Sequence, residues 1–397
     1  VSIEGAIMPV LDFENTEVAF EGKSDEELRT AQQLFLQMSR FSDPRLASFF
    51  SMMVRIGWRL RIRHKVKVAF RHFCGGETLD ECRAIVAFLA SKNVNTTLDH
   101  SVESLKTEKA LDESRDEILK TIDEAMANPR IQFCVFKVTG IVRKALLEKL
   151  GRGKTLSSRE GQEYERALDR INKICSDAFE KNVRVLIDAE ESWIQDPIDK
   201  AAESMMKQYN TNAAVVFNTF QMYRIDSFDR LGAFWQRAKG GSYFLGVKLV
   251  RGAYLESENS RAEKMKYLSP IHKTKSETHR AYDNALEFCV ANRDTIHLYA
   301  GTHNQKSVQL LVDLIERDNI EKGYDGIDIA QLYGMGDNLT YLLSREGYRV
   351  TKFVPYGKIE KVVPYLIRRA KENSAVRGEI GRELQLIDRE IERRRLA

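Results

Sequence analysis

Lys137, Asp188, Lys248 and Arg251, the turn Thr302-His303-Asn304, and the pair Arg368 and Arg369 followed by Glu372 carry most of the side chains in this sequence that combine into chemistry. Brought to one place, the cations and the polar turn suit a large anionic ligand together with a small carboxylate. They do not form the carboxylate cluster that a hard metal ion wants. No H-x-x-x-H or C-x-x-C spacing points to zinc, and no metal site is expected. The Gly-x-Ser-x-Gly nucleophile elbow is missing, as are the G-x-G-x-x-G and Walker-type phosphate loops. Hydrolysis is therefore disfavoured. Each residue also has an ordinary structural reading. A lysine at a strand end is often simply solvated, a lone Asp188 can cap a helix, and His303 can serve a local turn.

These residues need a scaffold that presents them together. From residue 94 onward short apolar segments rich in Val, Ile, Phe and Tyr recur, at 94–98, 131–138, 183–187, 213–217, 243–250, 296–300, 327–332 and 349–354. Their composition suits buried parallel strands. Helical patterns lie between them, such as 260–292 and 305–317. Eight strands alternating with helices predict an α/β fold, a (β/α)8 barrel. A doubly wound sheet is the competitor, and it lacks its usual glycine fingerprint here. In a barrel the chemistry collects at the C-terminal strand ends. That rule selects Lys137, Asp188, Asn218 and Gln221, Lys248 and Arg251, Thr302 to Asn304, Gly334-Met335-Gly336, and Pro355-Tyr356-Gly357. Arg368 or Arg369 and Glu372 are three or four apart and share a helix face.

Residues 1–93 read as mainly helical, with Ser24 capping an acidic first turn. Between 59 and 68 basic and apolar residues nearly alternate, which by period alone favours a strand. The stretch 51–74 holds seven Lys/Arg and no acid. It reads as a solvated face or as a face toward an anionic membrane. Residues 94–375 form the expected barrel, 147–181 a charged helical surface insertion, and 376–397 a charged helical tail. Residues 357–397 hold 11 Lys/Arg against 7 Asp/Glu, the whole formal excess of +4, too mild a footprint for nucleic-acid binding. Hydrophobic residues at 43% in 397 positions allow a large core, and no apolar run reaches the ~20 residues of a membrane span. Five scattered cysteines argue for a reducing compartment.

The segments KLVRGAYL, THNQ, QLYGMGDN and FVPYG followed by PYLIRRAKEN resemble the proline dehydrogenase family of mitochondria and bacteria. The likeness runs in order from about residue 94 to 373, and the long N-terminal region is similar to the eukaryotic branch. The resemblance implies a distorted (β/α)8 barrel binding FAD at its strand C-termini, with a final helix over the mouth. It implies oxidation of L-proline to pyrroline-5-carboxylate by hydride transfer to flavin N5. Ubiquinone would be the acceptor, at the matrix side of the mitochondrial inner membrane, with peripheral membrane association.

By motif match, Lys137, Arg368 and Arg369 would grip the substrate carboxylate, and Tyr254, Leu332, Phe353 and Tyr365 would wall its ring. Arginine suits this task because it pairs carboxylates bidentately. Lys248 matches a basic residue beside the flavin ring, where positive charge favours the anionic reduced flavin. Gln221, Val250 and Gly252 match cofactor contacts, Thr302, His303 and Asn304 match phosphate and ribityl contacts, and Glu372 a polar position near the cofactor. Asp188 matches an aspartate near the substrate and is assigned electrostatic support. Phe353 stands where proline-preferring relatives carry Tyr and hydroxyproline-preferring relatives tend to carry Ser. A hydroxyproline dehydrogenase is thus the nearest alternative. A Schiff-base aldolase using Lys137 or Lys248 is a more remote one, and a membrane-surface adaptor is the non-enzymatic one.

Overall fold

A computed structural model of the chain describes residues 11–40, 63–362, 365–366 and 379–395. Eight parallel strands close into one barrel in sequence order. They are β1 (Asn95–His100), β2 (Ile131–Lys137), β3 (Arg184–Asp188), β4 (Val216–Gln221), β5 (Leu245–Val250), β6 (Ile296–Gly301), β7 (Ile327–Leu332) and β8 (Val350–Tyr356). β8 pairs with β1, and this closure excludes the doubly wound sheet. All eight expected strands are present. β4 runs later than expected, so Asn218 and Gln221 lie within the strand rather than after it.

Successive side chains on a strand alternate between barrel interior and outer sheath. Phe133, Val135, Leu186, Phe217, Tyr299, Ala330 and Phe353 fill the interior. Cys134, Phe136, Val185, Ile187, Val247 and Leu249 join the sheath beneath the helices. Continuing the inward parity to the strand ends selects Asp99, Lys137, Asp188, Gln221, Val250 and Leu332 at the mouth. Asn218 has the outward parity, and its amide donates to Asp199 of the Ser192–Tyr209 helix at 2.8 Å. It is not a mouth residue.

Several helices depart from expectation for physical reasons. Ser158–Glu180 is the crossover helix between β2 and β3, not a surface insertion: Ala167, Ile171, Ile174, Cys175 and Ala178 bury one face in the sheath. The density of charge on its other face hid that stripe. The pattern at 260–292 is two helices, Leu255–Met265 and Lys275–Ala291, because Lys266 adopts a left-handed conformation and Pro270 follows. Arg63–Phe73 is helical where alternation favoured a strand, while 59–62 lie outside the described residues. Its Phe70 and Phe73 sit three apart and are buried together, which is a helical period. Leu79–Ser91 packs against β1 and β8 and fills the sheath position there.

A second apolar cluster joins the two ends of the chain. Leu28, Ala31 and Phe35 of the Asp25–Arg40 helix pack with Leu386, Ile387 and Ile391 of the Glu379–Arg393 helix, together with Met335. Ser24 and Glu27 form the expected cap, Ser24 Oγ accepting from Glu27 N and donating to its carboxylate at 2.8 Å. The tail is thus a packed partner of the N-terminal helices. No helix among the described residues is long and apolar enough to cross a membrane.

Candidate active site

Lys137 and Asp188 are register partners at the ends of β2 and β3. Lys137 Nζ lies 2.5 Å from Asp188 Oδ2, and Lys248 Nζ lies 2.5 Å from Asp188 Oδ1. One carboxylate therefore bridges two ammonium groups on three strands. Asp188 and Lys248 are buried, and Lys137 is partly so. Burial alone would raise the Asp188 pKa, but the two lysines outweigh it and hold the carboxyl well below its usual range. Burial also opposes charge on both lysines. For Lys137 the field of Asp188, with Tyr254 and Asp99, wins and raises its pKa. For Lys248 burial wins and lowers it, Lys137 adding to the effect.

Phe353, the register partner of Leu332, lies beneath this bridge. Its ring centre is 4.6 Å from Lys248 Nζ, and that of Tyr299 is 5.6 Å away. Asp99, the penultimate residue of β1, was missed: the expected strand stopped at Leu98, two residues short of the strand's end. Its carboxylate accepts from Ser101 Oγ at 2.5 Å, and burial raises its pKa against the pull of Lys137. Extending the alternation Asn95-Thr97-Asp99 would have found it. Glu190 was missed too. It accepts from Thr139 N at 2.9 Å and Thr139 Oγ1 at 2.5 Å, and burial raises its pKa to about 7.

On the neighbouring rim, Gln221 donates to Glu190 O at 2.7 Å and accepts from Ala253 N at 3.1 Å. This ties β4 to the loop after β5, where Tyr254 begins the Leu255–Met265 helix. Val250 ends β5. Gly252 has φ +138°, and a Cβ there would meet the Tyr223 ring at 2.4 Å, so only glycine fits. Arg251 donates to His279 Nδ1 at 2.8 Å, Thr302 Oγ1 at 2.5 Å and Ser307 Oγ at 2.8 Å. His303 Nε2 accepts from Leu332 N at 3.4 Å. The Asn304 side chain caps the Gln305–Arg317 helix, accepting from Ser307 N at 3.1 Å. Tyr365 is buried in the cluster of the terminal helices, with Met335 and Val362. Arg368, Arg369 and Glu372 lie outside the described residues.

The fold and this mouth define a parallel barrel with a buried, doubly paired carboxylate at its strand ends. The family description for proline dehydrogenase matches residues 82–382, and the chain belongs to that family. It is 31% identical to a carbapenem antibiotics biosynthesis protein of Pectobacterium carotovorum over 81% of this chain and 83% of the relative. It is 28% identical to mitochondrial proline dehydrogenase 1 of Dictyostelium discoideum over 97% of this chain and 75% of that one. It is 29% identical to a hydroxyproline dehydrogenase of Xenopus laevis, over 94% and 88%. Among solved structures, proline utilization A of Bdellovibrio bacteriovorus superposes with a TM-score of 0.71 over 91% of this chain at 19% identity. The chain spans 36% of that longer protein.

Proposed function

We propose that this protein oxidises L-proline to pyrroline-5-carboxylate with FAD, passing electrons to a membrane quinone. The observation that carries the reading is the Lys137–Asp188–Lys248 bridge at the strand ends of a proline dehydrogenase family barrel. The donor set of the mouth fits a flavin dinucleotide. Gly252 leaves the backbone bare against Tyr223, and a polar network of Arg251, Thr302 and Ser307 lines the rim beside it. Gln221, Lys248, Val250, Gly252, Thr302, His303 and Asn304 would hold FAD, with Glu372 assigned by motif. When bound, FAD supplies the hydride acceptor.

The chain's own residues orient the amino acid. Lys137, with Arg368 and Arg369 by motif, offers cations to the substrate carboxylate. Leu332 and Phe353, with Tyr254 and Tyr365 by motif, wall an apolar space for the ring. Asp188 takes no proton, because both its oxygens are committed to ammonium groups; it holds Lys137 charged and both lysines in place. The reaction asks for orientation of a neutral amine next to the carbon that gives up hydride, rather than for a nucleophile. The same commitment to Asp188 argues against Lys137 or Lys248 as a Schiff-base nucleophile.

Three domain assignments follow the same reading: an N-terminal helical region over 1–93, the catalytic barrel over 94–375 and a tail over 376–397. The names of the Dictyostelium and other eukaryotic relatives support a mitochondrial location; the matrix side of the inner membrane is part of the proposal, as the place where a membrane quinone would be met. A second reading, hydroxyproline dehydrogenase, is favoured by the Xenopus relative. The assay is reduction of a soluble dye on addition of L-proline, with the product trapped by o-aminobenzaldehyde. Proline should outrun trans-4-hydroxy-L-proline. Absence of turnover on both amino acids with FAD supplied would overturn the reading.

A further inference from the structure

At the mouth rim beside β4 and β5 the chain exposes an apolar tip. Leu268 is 94% exposed, Met265 53% and Tyr267 42%, and Ile225 on the facing loop is 57% exposed. Scattered surface leucines are ordinary, but four large apolar side chains on two adjoining loops are not. Nor is the tip a loose loop. The Leu255–Met265 helix ends at Lys266 with φ +56°, and Tyr267 N donates back to Ala262 O at 3.1 Å. Ser269 Oγ donates to Asn259 at 2.6 Å. Ile225 N donates to Pro270 O at 2.9 Å and His272 N to Tyr223 O at 2.8 Å, around an antiparallel bridge of Arg224 with Ile271. The backbone is pinned on both sides, and Leu268 is presented rather than left over.

Charge decides what this tip fits. Residues 260–280 hold six Lys/Arg and two Glu. Lys264, Lys266 and Lys273 are exposed around the apolar residues. Arg261 is turned away, stacked on Trp193 at 4.3 Å. Of the acids, Glu277 is spent in a capping box with Thr274, and Glu263 is exposed. On the facing loop Asp226 is paired with Arg224 at 2.7 Å. Exposed apolar side chains interspersed with three exposed lysines match a bilayer interface bearing anionic headgroups, with the side chains in the acyl boundary and the lysines at phosphate level.

We propose that the loop of residues 266–274, with Ile225, docks this protein on an anionic lipid surface. The proposal rests on the quinone-linked reading and deepens it by naming the face that meets the membrane. Tyr223, which anchors this loop through His272, also packs against Gly252. Docking would therefore bring the cofactor side of the barrel mouth to the source of the acceptor.

The test is co-sedimentation of the full chain with vesicles of phosphatidylcholine and cardiolipin, against phosphatidylcholine alone. The parent should bind the anionic vesicles, and added salt should weaken binding. Leu268→Asp with Tyr267→Ser should bind roughly ten-fold more weakly or worse, as should Lys264→Gln with Lys266→Gln and Lys273→Gln, the latter with little salt dependence left. Proline-dependent reduction of a soluble dye should be unchanged in both. Variants that bind as the parent does overturn the proposal, as does a parent that fails to bind. A parent dimer that Leu268→Asp dissociates, without vesicle binding, assigns the tip to a second copy and overturns it too. Dye activity without vesicle binding refutes the docking alone. Vesicle binding lost only in the variants, with no dye activity in any form, supports the docking and refutes the enzymatic reading.

Discussion

The Lys248 ammonium lies 4.6 Å from the centre of the Phe353 ring while its hydrogen bond goes to Asp188 Oδ1 at 2.5 Å. The ring thus supports the buried cation through its π face. A tyrosine hydroxyl here would compete for an aspartate whose two oxygens already accept from lysines. A serine would leave Lys248 without the ring and open space between it and Leu332.

Phe353 should consequently govern substrate choice in the proposed reaction. The 4-hydroxyl of hydroxyproline pressed toward this ring would lose water without gaining a partner, at a cost of about 1–3 kcal/mol. Proline should be preferred by roughly 5- to 150-fold in kcat/KM. Phe353→Ser should narrow the ratio, mainly by raising turnover of trans-4-hydroxy-L-proline. Steady-state kinetics on both amino acids decide, and equal efficiency in the parent would refute the steric role.

Arg368→Met and Arg369→Met bear on the carboxylate grip. Losing one charge-assisted pair in a partly desolvated site should cost about 2–5 kcal/mol in kcat/KM for proline. Bound FAD, read from absorbance, should be retained. If both variants stay within a few-fold of the parent, Lys137 carries the grip without them.

Glu383 bears on stability. Its carboxylate accepts from Gly336 N at 2.5 Å, beside Asp337, which is pinned by Lys23 at 2.9 Å and Lys352 at 2.8 Å. Burial, with the Asp337 charge, raises its pKa from 4.5 to about 7. The folded state then holds a proton that the unfolded state releases above about pH 4.5, so this group's contribution to stability falls as pH rises from there to about 7. Glu383→Gln should be more stable than the parent at pH 8, by about 1–3 kcal/mol, with the difference vanishing near pH 4.5. Urea denaturation at both pH values measures it. A variant less stable than the parent at pH 8 would show that Glu383 is favourably ionised there.

Much of this was legible in the residues because barrel strands repeat a strong signal. Short β-branched and aromatic runs between helical stretches predicted all eight strands, and strand-end position alone selected Lys137, Asp188 and Lys248. What it did not convey was inward or outward parity. A strand placed three residues early put Asn218 in the site, and one that stopped at Leu98, two residues short, left Asp99 out. The Ser158–Glu180 helix was misread because its exposed charges outnumber its buried stripe. The pairing of the Asp25–Arg40 and Glu379–Arg393 helices is a contact between distant segments, which local periodicity does not encode.

The most direct measurement is the absorbance spectrum of the purified protein, reconstituted with FAD, before and after L-proline is added without oxygen. A flavin spectrum that bleaches on proline, with no nicotinamide cofactor added, is the expected result. A protein that binds no FAD, or one whose flavin stays oxidised under excess proline, would contradict the proposed chemistry of the Lys137–Asp188–Lys248 mouth.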